Sequence, residues 1–253
     1  MPSLRHPFVL VLFLVLVLPV HSAESTTLTT LLHDAATAET RLDPASALDL
    51  YRRASATNPN DPFILEKISR QLSDLSEDLP DPKAKKPLLA EALSFAERAA
   101  ALAPNAVNLT SVAVCHGKLA VLADTREKIE RSRLVRDYAE RALAADSRYD
   151  YAHHVLGRWH YEVATLHPAK RFLVRLIYGG LPDASTTAAV AHLQRAVELA
   201  PDRPAHHVEL AFALRADRQP DAARATFAHA LTLSPRDHYD RTALTRARTA
   251  LSP

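Results

Sequence analysis

Apolar residues recur along the chain in a fixed four-point spacing. A small residue is followed at +4 by a bulky or small one, at +7 by alanine and at +12 by proline. The pattern reads Ala47, Tyr51, Ala54, Pro59, then Ala92, Ala96, Ala99, Pro104. It returns as Ala189, Leu193, Ala196, Pro201 and as Ala223, Phe227, Ala230, Pro235. Val135, Ala139, Ala142, Ser147 is a degenerate copy. The first three offsets lie on one face of an α-helix. Alanine there lets a second helix approach closely. Proline cannot continue the hydrogen-bond ladder, so it ends the helix and opens a turn.

Each such helix needs a partner, and the partners carry their own order of large, leucine, small and bulky residues. After Ser147 it is His153, Leu156, Gly157, His160; after Pro201 it is His207, Leu210, Ala211, Leu214. After Pro59 it is Leu65, Ile68, Ser69, Leu72, and after Pro104 it is blurred. Ala196 and Ala230 are 34 residues apart, which is the tetratricopeptide period. The other gaps of 45, 43 and 54 residues call for longer helices or loops. Asp43-Pro44 and Asp61-Pro62 read as helix starts, and Ser185 is placed to cap a helix over Thr186–Leu199. Residues 237–250 are expected to form a capping helix with a polar outer face of Arg241, Thr245, Arg246 and Arg248. The architecture expected is all-α: a tetratricopeptide-like solenoid of antiparallel helix pairs, with about 10–12 helices.

The N-terminus is a separate object. Arg5 precedes an apolar stretch, Phe8–Val20, and then His21-Ser22-Ala23. A basic start, a short apolar run and small residues at the cut describe an export signal; a membrane-spanning helix needs about 20 apolar residues. Residues 1–23 are expected to be a signal peptide cleaved near Ser22 or Ala23, giving a secreted or periplasmic protein. An anchor formed by residues 8–20 is the alternative. Residues 24–253 are expected to form the repeat domain, not to span a membrane in the mature form.

Composition narrows the chemistry. The chain has 45 alanines and 17 prolines but 4 glycines. Four glycines supply neither a large β-sandwich nor a phosphate-cradling loop. The 31 basic and 29 acidic residues nearly balance, so no nucleic-acid partner is expected. A single cysteine, Cys115, forbids an internal disulfide and any paired-cysteine metal motif. The pairs His153/His154 and His206/His207 lack the partners of a helical zinc motif. No acid–base constellation is present. No catalytic residue, metal site or cofactor is expected.

A solenoid of this kind binds with the inner face of its first helices. In the repeat register that wall reads Phe63, Glu66 and Arg70; Asn108, Ser111, Cys115 and Lys118; Tyr151, His154, Arg158, Tyr161 and Glu162; and Val208, Phe212 and Arg215. Phe63, Arg70, Lys118, Tyr151, His154, Arg158, Tyr161, Phe212 and Arg215 make the candidate ligand groove. Arg and Tyr dominate interface hot spots, and the basic members suit a carboxylate or phosphate. Glu66, Ser111 and Val208 depart from the chaperone-type carboxylate clamp. The groove is expected to hold a peptide or protein segment, with a lipid or other hydrophobic ligand as the alternative. A local insert near 168–182 sets Lys170, Arg171 and Arg175 among Phe172, Leu173, Val174, Leu176 and Ile177. Its apolar side is expected to pack over one end of the groove, a membrane surface or a partner being the alternative. Asn108-Leu109-Thr110 is a glycosylation sequon.

Several blocks resemble the regulator of microtubule dynamics family. They are Lys85-Lys86-Pro87-Leu88-Leu89-Ala90-Glu91-Ala92; Arg126-Glu127-Lys128-Ile129 with Tyr138-Ala139-Glu140-Arg141-Ala142; and His154-Val155-Leu156-Gly157-Arg158-Trp159-His160-Tyr161. The last is followed by Arg171, Leu176, Tyr178-Gly179-Gly180-Leu181-Pro182 and Ser185, similar to that family's insert. The family's Trp-Cys-Tyr cysteine is His160 here. The resemblance covers about residues 45–235 and implies a tetratricopeptide-like fold without catalysis. It also implies a microtubule-associated role if the chain is not exported, and a groove for phospholipid as in a membrane-contact member. Joined to the export signal, it points to an exported bacterial relative.

Overall fold

The computed structural model describes residues 21–252. Most of the expected signal peptide, residues 1–20, lies outside them. The described residues form twelve α-helices and no strand. They are α1 (His21–Thr40), α2 (Pro44–Thr57), α3 (Pro62–Asp78), α4 (Pro82–Leu102), α5 (Ala106–Val121) and α6 (Thr125–Ala145). There follow α7 (Asp150–Ala164), α8 (Pro168–Tyr178), α9 (Thr186–Leu199), α10 (Pro204–Ala216), α11 (Pro220–Ala230) and α12 (His238–Leu251). The pairs are α1 with α2, α3 with α4, α5 with α6, α7 with α9, and α10 with α11; α12 packs on α10. The helix-pair solenoid expected from the repeat is the architecture found, with α8 inserted between the members of the fourth pair.

The helix boundaries follow from local chemistry. Asp43, Asp61 and Asp81 cap α2, α3 and α4 through their carboxylates, and proline follows each cap at the first helical position. Ser185 caps α9 by accepting from the Ala188 amide at 3.0 Å. α2, α4 and α9 stop two residues short of Pro59, Pro104 and Pro201, and α6 stops at the same distance from Ser147. α11 ends earlier, at Ala230, because Thr232 and Leu233 donate to His229 and Ala230 carbonyls in a tighter turn before Pro235.

The alanine face is the contact between helices. Ala47, Ala54, Ala92, Ala96, Ala99, Ala139, Ala142, Ala189, Ala196 and Ala230 are fully buried. The bulky members Tyr51, Leu193 and Phe227 fill the space between the small ones, each contributing roughly 1.5–3 kcal/mol of burial. The repeat extends to polar detail. His153 and His207 stand at the same register position, and each ring Nε2 bonds the carbonyl six residues upstream, Ser147 at 3.1 Å and Pro201 at 2.7 Å. The serine copy is therefore a true member of the series.

Two helices depart from expectation. The apolar side of α8 does not close over the groove. Phe172 and Leu176 are 68% and 70% exposed, because the face toward the body is taken by Arg171, which donates to the Val163 and Ala164 carbonyls at 3.0 and 2.8 Å. In α12, Arg241, Thr245 and Arg248 are exposed as expected, but Arg246 turns inward onto the buried Glu209.

Gly157 lets α7 and α9 approach closely. A Cβ there would stand 2.6 Å from Leu193 Cγ and 3.1 Å from the Ala189 carbonyl oxygen. Gly157→Ala is expected to cost roughly 1–3 kcal/mol by overpacking, despite alanine's better helix propensity. Gly117→Ala, whose Cβ would meet Val135 at 3.7 Å, is expected to be neutral or to stabilise by up to about 1 kcal/mol. Urea unfolding of the two variants checks this, and equal midpoints would contradict it.

Candidate functional site

The inner face of the solenoid is organised around one carboxylate. Asp237 is the N-cap of α12, and its Oδ1 accepts from the Asp240 amide at 2.9 Å. Its other oxygen, Oδ2, accepts from Arg70 of α3 at 2.8 Å, from the Tyr151 hydroxyl of α7 at 2.9 Å, and from Arg203. Arg203 also donates to the Tyr151 hydroxyl at 2.7 Å, with its guanidinium carbon 4.6 Å from the ring centre. These partners lie 167, 86 and 34 residues from Asp237 in sequence. Burial alone would raise the Asp237 carboxyl. Arg70 and Arg203 more than offset it, with the Asp240 amide and Tyr151 assisting, and bring it down to about 2. A second tie joins the same helices where His238 Nε2 lies 3.3 Å from Asp78.

Asp240 explains why the seat stands at this corner. The N-cap position of α10 is Arg203, which makes no side-chain cap. Asp240 supplies the missing acceptor from α12: its Oδ1 takes the Ala205 amide at 3.1 Å, and its Oδ2 takes the Arg236 amide at 3.0 Å. Arg203 is thereby free to turn toward Asp237.

A second buried carboxylate organises the next layer. Glu209 of α10 lies beside Arg158 at 3.5 Å, accepts from Arg246, and accepts from the Tyr239 hydroxyl at 3.3 Å. Burial raises its carboxyl, but Arg158 and Arg246 outweigh that and hold it below the usual range. Burial pushes the Tyr239 hydroxyl up to about 12, so it stays a donor while it accepts from Arg158 at 2.7 Å. His154 links the two layers. Its Nδ1 is 2.9 Å from His206 Nδ1, and its Nε2 is 3.3 Å from the Tyr239 hydroxyl. Burial, with His206 adding, keeps His154 neutral, well below the ordinary histidine value. His206 Nε2 in turn meets Asp150 at 2.8 Å.

The sequence-derived groove residues fall into five places. Arg70 and Tyr151 meet at Asp237. His154 and Arg158 meet at Tyr239. Tyr161, Phe212 and Arg215 form an aromatic–basic cluster with Arg246, whose guanidinium carbon is 4.7 Å from the Phe212 ring centre. Lys118 stands apart, donating to the Ser73 carbonyl at 2.9 Å and pairing with Glu77 at 2.9 Å. Phe63 is half-exposed at the start of α3, with Lys67 5.6 Å from its ring centre. Glu66 is buried, and burial raises its carboxyl despite Arg70 and Lys67. Asn108 is also buried, its amide donating to Ala103 O at 2.8 Å, so the folded chain does not present the sequon.

Residues outside the register complete the site: Arg203, Asp237, Tyr239, Glu209 and Arg246. Arg203 and Asp237 sit in loops that the helical register does not cover. Glu209 carried a signal, because it is the lone acid in Ala205–Leu214 and is followed by the apolar run Leu210–Leu214. Among the described residues no group of three His, Cys, Asp or Glu side chains is arranged to hold a metal ion. Cys115 is buried beside Ser69 Oγ at 3.5 Å, and burial pushes its thiol up to about 11, far from the thiolate that a nucleophile needs.

The Asp237 seat sets a pH dependence. Its folded-state value lies below the ~3.9 of an unfolded aspartate, so its contribution is complete above about pH 4 and is lost as pH falls through about 2. The shift amounts to a contribution on the order of 2 kcal/mol. Between pH 5 and 2, wild type is expected to lose that much more stability than Asp237→Asn in urea titrations. Parallel profiles for the two chains would contradict the assignment.

Comparisons with known proteins bear on the family and the fold. The chain is 25% identical over 141 residues to regulator of microtubule dynamics protein 1 of Bos taurus, covering 54% of this chain and 43% of that relative. It thus spans less than half the length of the curated relative it matches. Among solved structures, TTC0263, a tetratricopeptide-repeat protein of Thermus thermophilus, superposes with a TM-score of 0.59 at 22% identity, covering 89% of this chain and 99% of that one. A monomeric mutant of IFIT1 superposes at 0.51 and 18% identity, covering 86% of this chain and 44% of that one. Both likenesses show the fold. The family described as Regulator of microtubule dynamics protein 1-3 matches residues 30–253, and the chain belongs to that family.

Proposed function

We propose that this protein is a non-catalytic interaction scaffold that holds a peptide or protein segment on its concave face. The observation that carries the reading is the convergence of Arg70, Arg203 and the Tyr151 hydroxyl on a single carboxylate oxygen. Two guanidiniums and a phenol aimed at one point recognise a carboxylate well, since charge-assisted hydrogen bonds are about twice as strong as neutral ones. Here the seat is filled by Asp237. A partner segment carrying an acidic side chain takes it by exchange with the start of α12. The neighbouring Phe212, Arg215 and Tyr161 give such a segment aromatic and cationic contacts beyond the seat. The charged, hydrogen-bonding lining favours a peptide over the hydrocarbon of a lipid. The buried thiol of Cys115 supports a non-catalytic reading.

The exchange is testable with the chain's own C-terminal sequence as the ligand. Asp237→Arg places a like charge beside Arg70 and Arg203 and expels the native occupant. Full-length Asp237→Arg protein is expected to bind a synthetic peptide of residues 234–248 by calorimetry, and wild type is not. Adding Arg70→Met to the opened chain is expected to weaken binding roughly 10-fold or more, the loss of a charged hydrogen bond. Circular dichroism of each variant reports retained helix. Equal binding with and without Arg70, or no binding to the opened chain, contradicts the reading.

A further inference from the structure

α8 carries nearly half of the large apolar side chains that the described residues leave exposed. Phe172, Leu173, Leu176 and Ile177 are all more than half exposed, within six residues. At about 100° per residue these four fall within an arc of roughly 140° on one side of the helix. The opposite side holds Arg171 and Val174. Arg171 donates to the Val163 and Ala164 carbonyls and so satisfies the end of α7, and Val174 is half-buried. The helix is fastened at both ends. At its start the His167 ring accepts from the Ala169 amide at 3.3 Å. At its end Gly179 and Gly180 take left-handed conformations with φ of 74° and 89°, and the Gly180 amide donates to Val174 O at 3.2 Å. Arg133 of α6 holds the Gly180 carbonyl at 2.6 Å, and Leu181 packs on the core cluster around Trp159. The body therefore presents the apolar strip outward in a set orientation.

The charges beside the strip say what covers it. Lys170 borders it next to Ile177, and Arg175 borders it on the side of Phe172. From Glu162 to Asp183 the chain carries Lys170, Arg171 and Arg175 and no acidic residue between those two ends. A second copy of this chain brings the same positive charge to the same strip and is repelled. An anionic lipid surface brings the opposite charge, and it dissolves apolar side chains while leaving flanking cations in the headgroup layer. We infer that α8 is a peripheral membrane-docking helix for bilayers rich in anionic lipid, with Phe172, Leu173, Leu176 and Ile177 inserted and Lys170 and Arg175 at the headgroups. The docking is separate from the concave face and does not depend on what that face binds.

The test is co-sedimentation of the full chain with vesicles of phosphatidylcholine mixed with phosphatidylglycerol, against phosphatidylcholine alone. The mixed vesicles are expected to bind roughly tenfold better, with added salt weakening the binding. Phe172→Ser/Leu176→Ser and Lys170→Glu/Arg175→Glu change exposed positions only, and each is expected to lower binding about tenfold with helix content unchanged. Phe172→Trp supplies a readout at α8 itself that residues 1–20 cannot produce. The chain's only natural tryptophan, Trp159, is buried, so a blue shift of the new emission on adding mixed vesicles reports insertion. No shift, or undiminished binding by Phe172→Ser/Leu176→Ser, overturns the proposal. A dimer in solution that Phe172→Ser/Leu176→Ser dissolves, without vesicle binding, overturns it in favour of self-association.

Discussion

The Asp237 carboxylate closes the solenoid. A stack of helix pairs is held by nearest neighbours and leaves its two ends independent. Here Arg70 in the second pair and Tyr151 in the fourth reach the start of the last helix through one oxygen atom. The same side chain caps α12 through its other oxygen, and Asp240, one turn later, caps α10. Removing the carboxylate therefore leaves two guanidiniums facing each other and one helix without its cap. Buried charge clusters are intolerant of losing one member. That intolerance ties the position of α12 to the shape of the inner face.

What the chain's own pattern reveals is what recurs locally. The alanine faces, the proline stops, the aspartate caps and the small position at Gly157 each depend on residues within a turn or two. They stand as the spacing predicts except before Pro235, where α11 ends early in a tighter turn. The inner-face residue types were legible in the same register, but their pairing was not. Arg70 and Tyr151 look like open hot-spot residues because Asp237 is 167 and 86 residues away. No short-range rule connects them. Arg203 was hidden for a different reason: it stands at an N-cap that another helix satisfies. The helical register puts Arg246 on the outer face of a terminal cap, and the lone acid Glu209 draws it in. In α8 the periodicity was plain, but which face met the body was decided by Arg171 and the end of α7.

Family membership and fold agree on a helical scaffold without supplying a ligand. The inner face is polar, layered and self-satisfied: the Asp237 seat above, the Glu209–Tyr239–Arg158 layer beside it, and His154 between them. Such a face offers charge and hydrogen bonding rather than apolar volume. α8 is the complement, an apolar strip with cations at its borders, facing away from the body. The molecule thus separates two kinds of surface on one frame.

A solenoid closed by the Asp237 carboxylate requires Arg70 and Asp237 to be energetically coupled across it. A double-mutant cycle with Arg70→Met, Asp237→Asn and the combined variant, read by urea unfolding near neutral pH, measures that coupling directly. A coupling of roughly 1–2 kcal/mol is expected, allowing for the solvent that reaches Arg70. Additive single-mutant effects would show that the two ends of the solenoid stand independently and would contradict it.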